Sequence, residues 1–183
     1  MSNASNPSGS QSGNQEGDEP QAAVALIRTA GLDPEYLLLR RATNPQDPWS
    51  GHFALPGGKR DPGDKDLLAT CVREAFEECG ISLKPWHLVQ DLPLATAGGW
   101  LGRPLVVAPF LFELEEKPPL FLQDDEIAAF HWLTLSYLRD PANRSDAALS
   151  GRHPEILFPC IRVGQGAIWG FTYGVLQSIL EAG

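Results

Sequence analysis

The stretch Arg60–Ile81, "RDPGDKDLLATCVREAFEECGI", constrains the fold of this 183-residue chain more than any other segment. Asp64 or Asp66 can cap a helix at its start and Gly80 can end one, which predicts a helix over Leu67–Cys79. With Glu74 at zero on a helical wheel, Glu77 falls at roughly −60° and Glu78 at roughly +40°. Ala69, Val72, Phe76 and Cys79 gather on the other side, between roughly 140° and 220°. The helix is therefore expected to pack through that apolar arc and to turn its three carboxylates away from the core. Like charges at this spacing repel one another. Two arrangements relieve the repulsion: a solvated acidic face, or a hard cation such as Mg²⁺, which prefers carboxylate oxygens.

Around this helix the chain reads mainly as strands. "AAVALIRT" (Ala22–Thr29) and "EYLLLRRA" (Glu35–Ala42) form a strand pair about the turn "AGLDP", and "GHFALPGG" gives a third extended segment. His87–Ala97, Pro104–Leu114 and Ile127–Leu135 read as further strands. A second helix is expected in "AIWGFTYGVLQSILEAG", with Trp169, Tyr173, Leu176 and Leu180 forming a core-packing stripe. Residues 1–20 are polar and almost without apolar side chains, so they are expected to be a disordered tail. Residues 21–183 are expected to form a single domain.

The net charge of −9 argues against nucleic acid as a partner. A polyanionic substrate would need cations recruited to hold it. No apolar run reaches the ~20 residues of a membrane span, and the start lacks the regions of a signal peptide. Cys71, Cys79 and Cys160 have neither zinc-type nor redox-type spacing and read as buried thiols in a reducing cytoplasm. The four histidines are scattered singly, which suggests no zinc site, and His52 and His131 are expected to be structural.

The segment "GGKRDPGDKDLLATCVREAFEECGI" resembles the Nudix box, the signature of hydrolases acting on nucleoside diphosphates linked to another group. "REAFEECGI" matches its second half. One departure lies in the first half, where Lys65 stands at the position of the usual glutamate, eight residues before Arg73. Asp64 or Asp66 is expected to take over the ion pair with Arg73. The resemblance implies an α/β/α sandwich with a central mixed sheet, a cofactor of Mg²⁺ or Mn²⁺, and a small-molecule nucleotide substrate. Relatives of this kind are often homodimers. Glu77 and Glu78 are implied as principal metal ligands, Glu74 as ligand or general base, and the Gly57 carbonyl as a further ligand. Arg73 is implied to orient the carboxylates. Glu126, just ahead of the "IAAFHWL" strand, is the first choice for general base.

Outside the box, Leu37–Asp64 and Ile168–Leu180 resemble coenzyme A pyrophosphatases, although "QDPWSGH" replaces that subgroup's usual Leu-Arg-x-His-x-Gly-Gln run. Coenzyme A and its derivatives therefore lead the substrate candidates. ADP-ribose and other nucleotide sugars, and oxidised nucleoside triphosphates, are the alternatives. Arg40, Arg41, Lys59, Arg60 and Arg103 are candidate phosphate contacts, and Trp49 and Trp100 candidate base-stacking groups. A nucleotide sensor without turnover is the alternative of another class, although binding alone does not require three convergent glutamates.

Overall fold

The computed structural model describes residues 19–44, 50–99, 102, 104–122, 126–149 and 155–181. The expected tail falls, apart from its last two residues, outside them. The central strand is β1 (Ala22–Thr29), whose unbroken apolar run is buried on both faces. Such a run suits a strand paired in parallel and covered above and below. β1 indeed runs parallel to β7 (Leu105–Leu114) over eight residues, from Ala22↔Val107 to Thr29↔Leu114. Its other edge is shared. β4 (Gly57–Lys59) pairs at Ala22–Val24, and β2 (Glu35–Arg41) pairs at Arg28. β3 (Phe53–Ala54) and β8 (Ile127–Thr134) flank β2, and β5 (Leu88–Asp91) and β6 (Ala95–Ala97) lie along β7. All of these pairings but β1–β7 are antiparallel, so the eight-stranded sheet is mixed.

The segment His87–Ala97, expected as one strand, is two. Pro93 has no N–H to give a ladder, and the chain breaks between Asp91 and Ala95.

Alternate residues of β1 serve two cores, as the period of a strand requires. Ala23, Ala25 and Ile27 pack with Leu37 and Leu39 against Cys71, Ala75 and Cys79 of α1 (Leu67–Cys79). Ala22, Val24 and Leu26 face a second layer containing α2 (Leu135–Arg139) and α3 (Gly170–Leu180). That layer also holds a three-stranded antiparallel sheet of β9 (Arg144–Ala147), β10 (Phe158–Val163) and β11 (Gly166–Trp169). The α/β sandwich expected from the sequence is present, with this additional sheet. β10 and β11 form a tight hairpin closed by Gly164 at φ +56°. The last helix therefore begins at Gly170 rather than in the Ala167–Trp169 strand. Leu176 and Leu180 of the predicted stripe are buried in the core, Tyr173 packs against it, and Trp169 ends β11.

The packing face of α1 differs from the wheel. Phe76 is 60% exposed, whereas Glu78 is only 6% exposed. On the wheel, Cys71, Ala75 and Cys79 fall at roughly 60°, 100° and 140°, and Glu78, at roughly 40°, sits beside Cys71. Small residues let the helix approach β1 closely, and this closeness chooses the arc over the bulk of Val72 and Phe76. One carboxylate is thereby carried into the interior.

Close approach also explains Gly57. It adopts φ +154°, and a Cβ there would lie 2.3 Å from the Ala23 carbonyl oxygen and 2.6 Å from the Val24 Cα, both backbone atoms that cannot step aside. Gly57→Ala is expected to cost at least about 2 kcal/mol. Gly63→Ala, where a Cβ meets nothing within 4 Å, should be near neutral. Urea denaturation of the two variants measures the difference, and equal midpoints would contradict the contact.

Candidate active site

Asp66 caps α1, its Oδ1 accepting from the Ala69 N–H at 2.8 Å, and Gly80 ends the helix at φ +74°. Asp64 is left for another role. The Arg73 guanidinium donates from Nε and Nη2 to the Asp64 carboxylate at 3.1 and 3.0 Å, and from Nη1 to Glu74 at 3.0 Å and Glu77 at 2.8 Å. Arg73 thus ties the loop before the helix to two of its acids, and of the two aspartates offered by the sequence it is Asp64 that pairs with it. These bonds hold the Asp64 carboxyl far below the ordinary carboxylate range and push the arginine further up. Glu74 moves the other way, because burial raises its pKa more than Arg73 lowers it. Its carboxylate lies over Gly58, where an added Cβ would come within 2.3 Å of Oε1.

Glu78 is the most perturbed of the three. Its Oε2 accepts from the Gly57 N–H at 2.9 Å. Burial, with the charges of Glu74 and Glu126 added, pushes its pKa up to about 7, against the pull of the Gly57 bond and of Arg41. Glu126 stands in the turn before β8, and its carbonyl accepts from the Ala42 N–H at 2.8 Å. The β2–β8 register shifts between Arg40 and Arg41, so Arg41 pairs with Ile127, next to Glu126. Asp124 and Asp125 lie outside the described residues.

Among the described residues no three acidic, histidine or cysteine side chains converge closely enough to enclose an ion; Arg73 draws Glu74 and Glu77 to itself. The donor set nevertheless fits a hard divalent cation. It consists of oxygens alone, and Glu78 is a desolvated carboxylate whose negative charge a cation would favour.

Glu78 opens into a cavity of about 760 Å³ that also takes in Arg41 and Lys59. Arg40 is not among the residues lining it. On β2 it pairs with Phe53 and Ala129, and with burial it lowers the pKa of His131. Arg60 braces the loop instead, donating from Nη2 to the carbonyls of Asp64 and Lys65. Trp49, Trp100 and Arg103 lie outside the described residues. His131 packs its ring against Phe53, in keeping with a structural role. His52, also expected to be structural, lines the cavity with its ring 5.0 Å from that of Trp169. Trp169 and Phe171 line it as well. Helical spacing hid them, because Trp169 ends β11 and Phe171 opens α3, a junction without a periodic signal of its own.

A family profile, the NUDIX domain, matches residues 19–151. The chain is 31% identical over 165 residues to the uncharacterized Nudix hydrolase NudL of Photorhabdus laumondii, an alignment covering 87% of this chain and 83% of that protein. It is 37% identical over 112 residues to the uncharacterized protein C14C4.10c of Schizosaccharomyces pombe, covering 59% of this chain and only 34% of the yeast protein. The crystal structure of a MutT/nudix family protein from Enterococcus faecalis superposes with a TM-score of 0.62 at 16% identity, over 92% of this chain and 63% of that one, and so shares the fold. The chain spans about a third of the length of the yeast protein it matches, and it belongs to the Nudix domain family.

Proposed function

We propose that this enzyme hydrolyses the diphosphate bridge between a nucleoside and a second group, with coenzyme A and its derivatives as leading substrates. Mg²⁺ or Mn²⁺ would be held by Glu74, Glu77, Glu78 and the Gly57 carbonyl. The observation that carries this reading is Glu78: a carboxylate buried under Gly57, opposed by two further acids, at the wall of a cavity that also holds Arg41 and Lys59. When bound, the cation supplies charge neutralisation at the diphosphate and acidifies water.

In the reaction, water oxygen bonds to one phosphorus and the bond from that phosphorus to the bridging oxygen breaks. Two phosphate monoesters leave. Glu126 takes the proton of the attacking water, because it is exposed and close enough for its charge to act on Glu78. Arg73 positions Glu74 and Glu77. Arg41 and Lys59 bind phosphate oxygens, and a charge-assisted bond from arginine is the stronger kind. The resemblance of Leu37–Asp64 to coenzyme A pyrophosphatases favours coenzyme A among the candidates.

A product screen with Mg²⁺ and with Mn²⁺ tests the reading, offering coenzyme A, ADP-ribose, NADH, diadenosine polyphosphates and oxidised dGTP in parallel. Release of 3′,5′-ADP from coenzyme A is expected, and EDTA should suppress it by about 10³-fold or more. Cleavage of triphosphates alone, or turnover that survives EDTA, would overturn it.

A further inference from the structure

The cavity lining combines charged and apolar side chains. Among the described residues Glu78, Arg41 and Lys59 supply its charges, while Val24, Leu105, Val107, Trp169 and Phe171 supply large apolar surfaces. Two layers meet there. Val24 and Val107 stand on the face of the main sheet opposite α1, and Trp169 and Phe171 come from the β11–α3 junction. Trp169 is fixed between two rings, with centroids 5.0 Å from His52 and 5.0 Å from Phe158. Thr172 secures the start of α3 by donating its hydroxyl to the Phe53 carbonyl at 3.1 Å. The wall is thus anchored to β3 rather than hanging as a free loop. It also lies beyond residues 19–151, the span matched by the family profile.

We propose that the Trp169–Phe171 junction is a specificity wall that selects diphosphates whose far substituent is an uncharged, largely apolar chain. This rests on the proposed reaction and names what lies beyond the scissile bridge. One cavity holds both sets of residues, so phosphates at Glu78, Arg41 and Lys59 bring the uncharged group to the apolar wall. A charge laid against these apolar rings would be desolvated, which disfavours it, whereas each buried methylene is favoured modestly.

ADP esters of methyl, butyl and octyl groups test the wall, with ADP-ribose as the polar comparator. In the wild-type enzyme kcat/KM should rise from methyl to octyl by about 100-fold, and ADP-ribose should fall near the methyl ester. Phe171→Ala should reduce the octyl-to-methyl ratio by about tenfold, chiefly through KM. Trp169→Ala should do the same, and Trp169→Phe should restore most of the ratio. Phe171 is half-buried, so its variant decides the matter if Trp169→Ala does not fold. A flat chain-length profile with good turnover, or a ratio unchanged in Phe171→Ala, would overturn the wall and leave the proposed reaction standing. Failure to cleave any of these diphosphates would overturn both.

Discussion

Glu78→Gln is expected to lower turnover by about 10³-fold or more while leaving the protein at least as stable as wild type at pH 8. The two halves of this outcome have one cause. Glutamine keeps the shape and an oxygen that can accept from the Gly57 N–H, but it cannot supply negative charge. Burial raises the Glu78 pKa from the ordinary 4.5 to about 7, a difference of roughly 3 kcal/mol between protonation states. Because the folded value lies above the unfolded one, the stability linked to this proton is complete below about 4.5, falls as pH rises through the window up to about 7, and is gone above it. The variant removes that slope. Urea denaturation in EDTA at pH 5 and pH 8, for wild type and variant, isolates it from the other titrating groups. Near-normal turnover would contradict the role of Glu78, and an identical pH slope would contradict its buried charge.

Arg73→Ala should reduce turnover by about 100-fold and raise the Mg²⁺ concentration needed for half-maximal activity by about tenfold. The guanidinium joins Asp64, Glu74 and Glu77 at 2.8–3.1 Å, so its removal frees the loop and leaves acids of one α1 face to repel each other. A loss of about 2 kcal/mol in stability accompanies this, typical of charge-assisted hydrogen bonds in a partly exposed setting. Arg73→Lys should recover little, since a single ammonium cannot serve Asp64 on one side and two glutamates on the other. The metal titration separates positioning from a purely structural role. Unchanged metal dependence in a less stable variant would show that Arg73 only braces the fold.

Much of the fold was legible because its signals are local. The ends of α1 follow from an aspartate, Asp64 or Asp66, and from Gly80, residues whose capping chemistry needs no tertiary partner, and the structure places the cap on Asp66. β1 follows from an apolar run with no helical period, and the charge of the box follows from the spacing of Glu74, Glu77 and Glu78. β9 to β11 escaped notice because short strands of mixed polarity, such as "RSDA", have neither alternation nor a long apolar run.

By itself the sequence determined which residues carry charge and where the box helix starts and stops, because these depend on interactions a few residues apart, while the pairing of Arg73 with an aspartate came from the resemblance to the Nudix box. Only the tertiary structure decided that Glu78 enters the interior, that Arg60 braces a loop, and that Trp169 and Phe171 wall the cavity. Burial is a property of what arrives from elsewhere in the chain. Small residues on α1 and glycine in β4 allow an approach so close that side-chain bulk, the quantity a helical wheel weighs, ceases to choose the packing face.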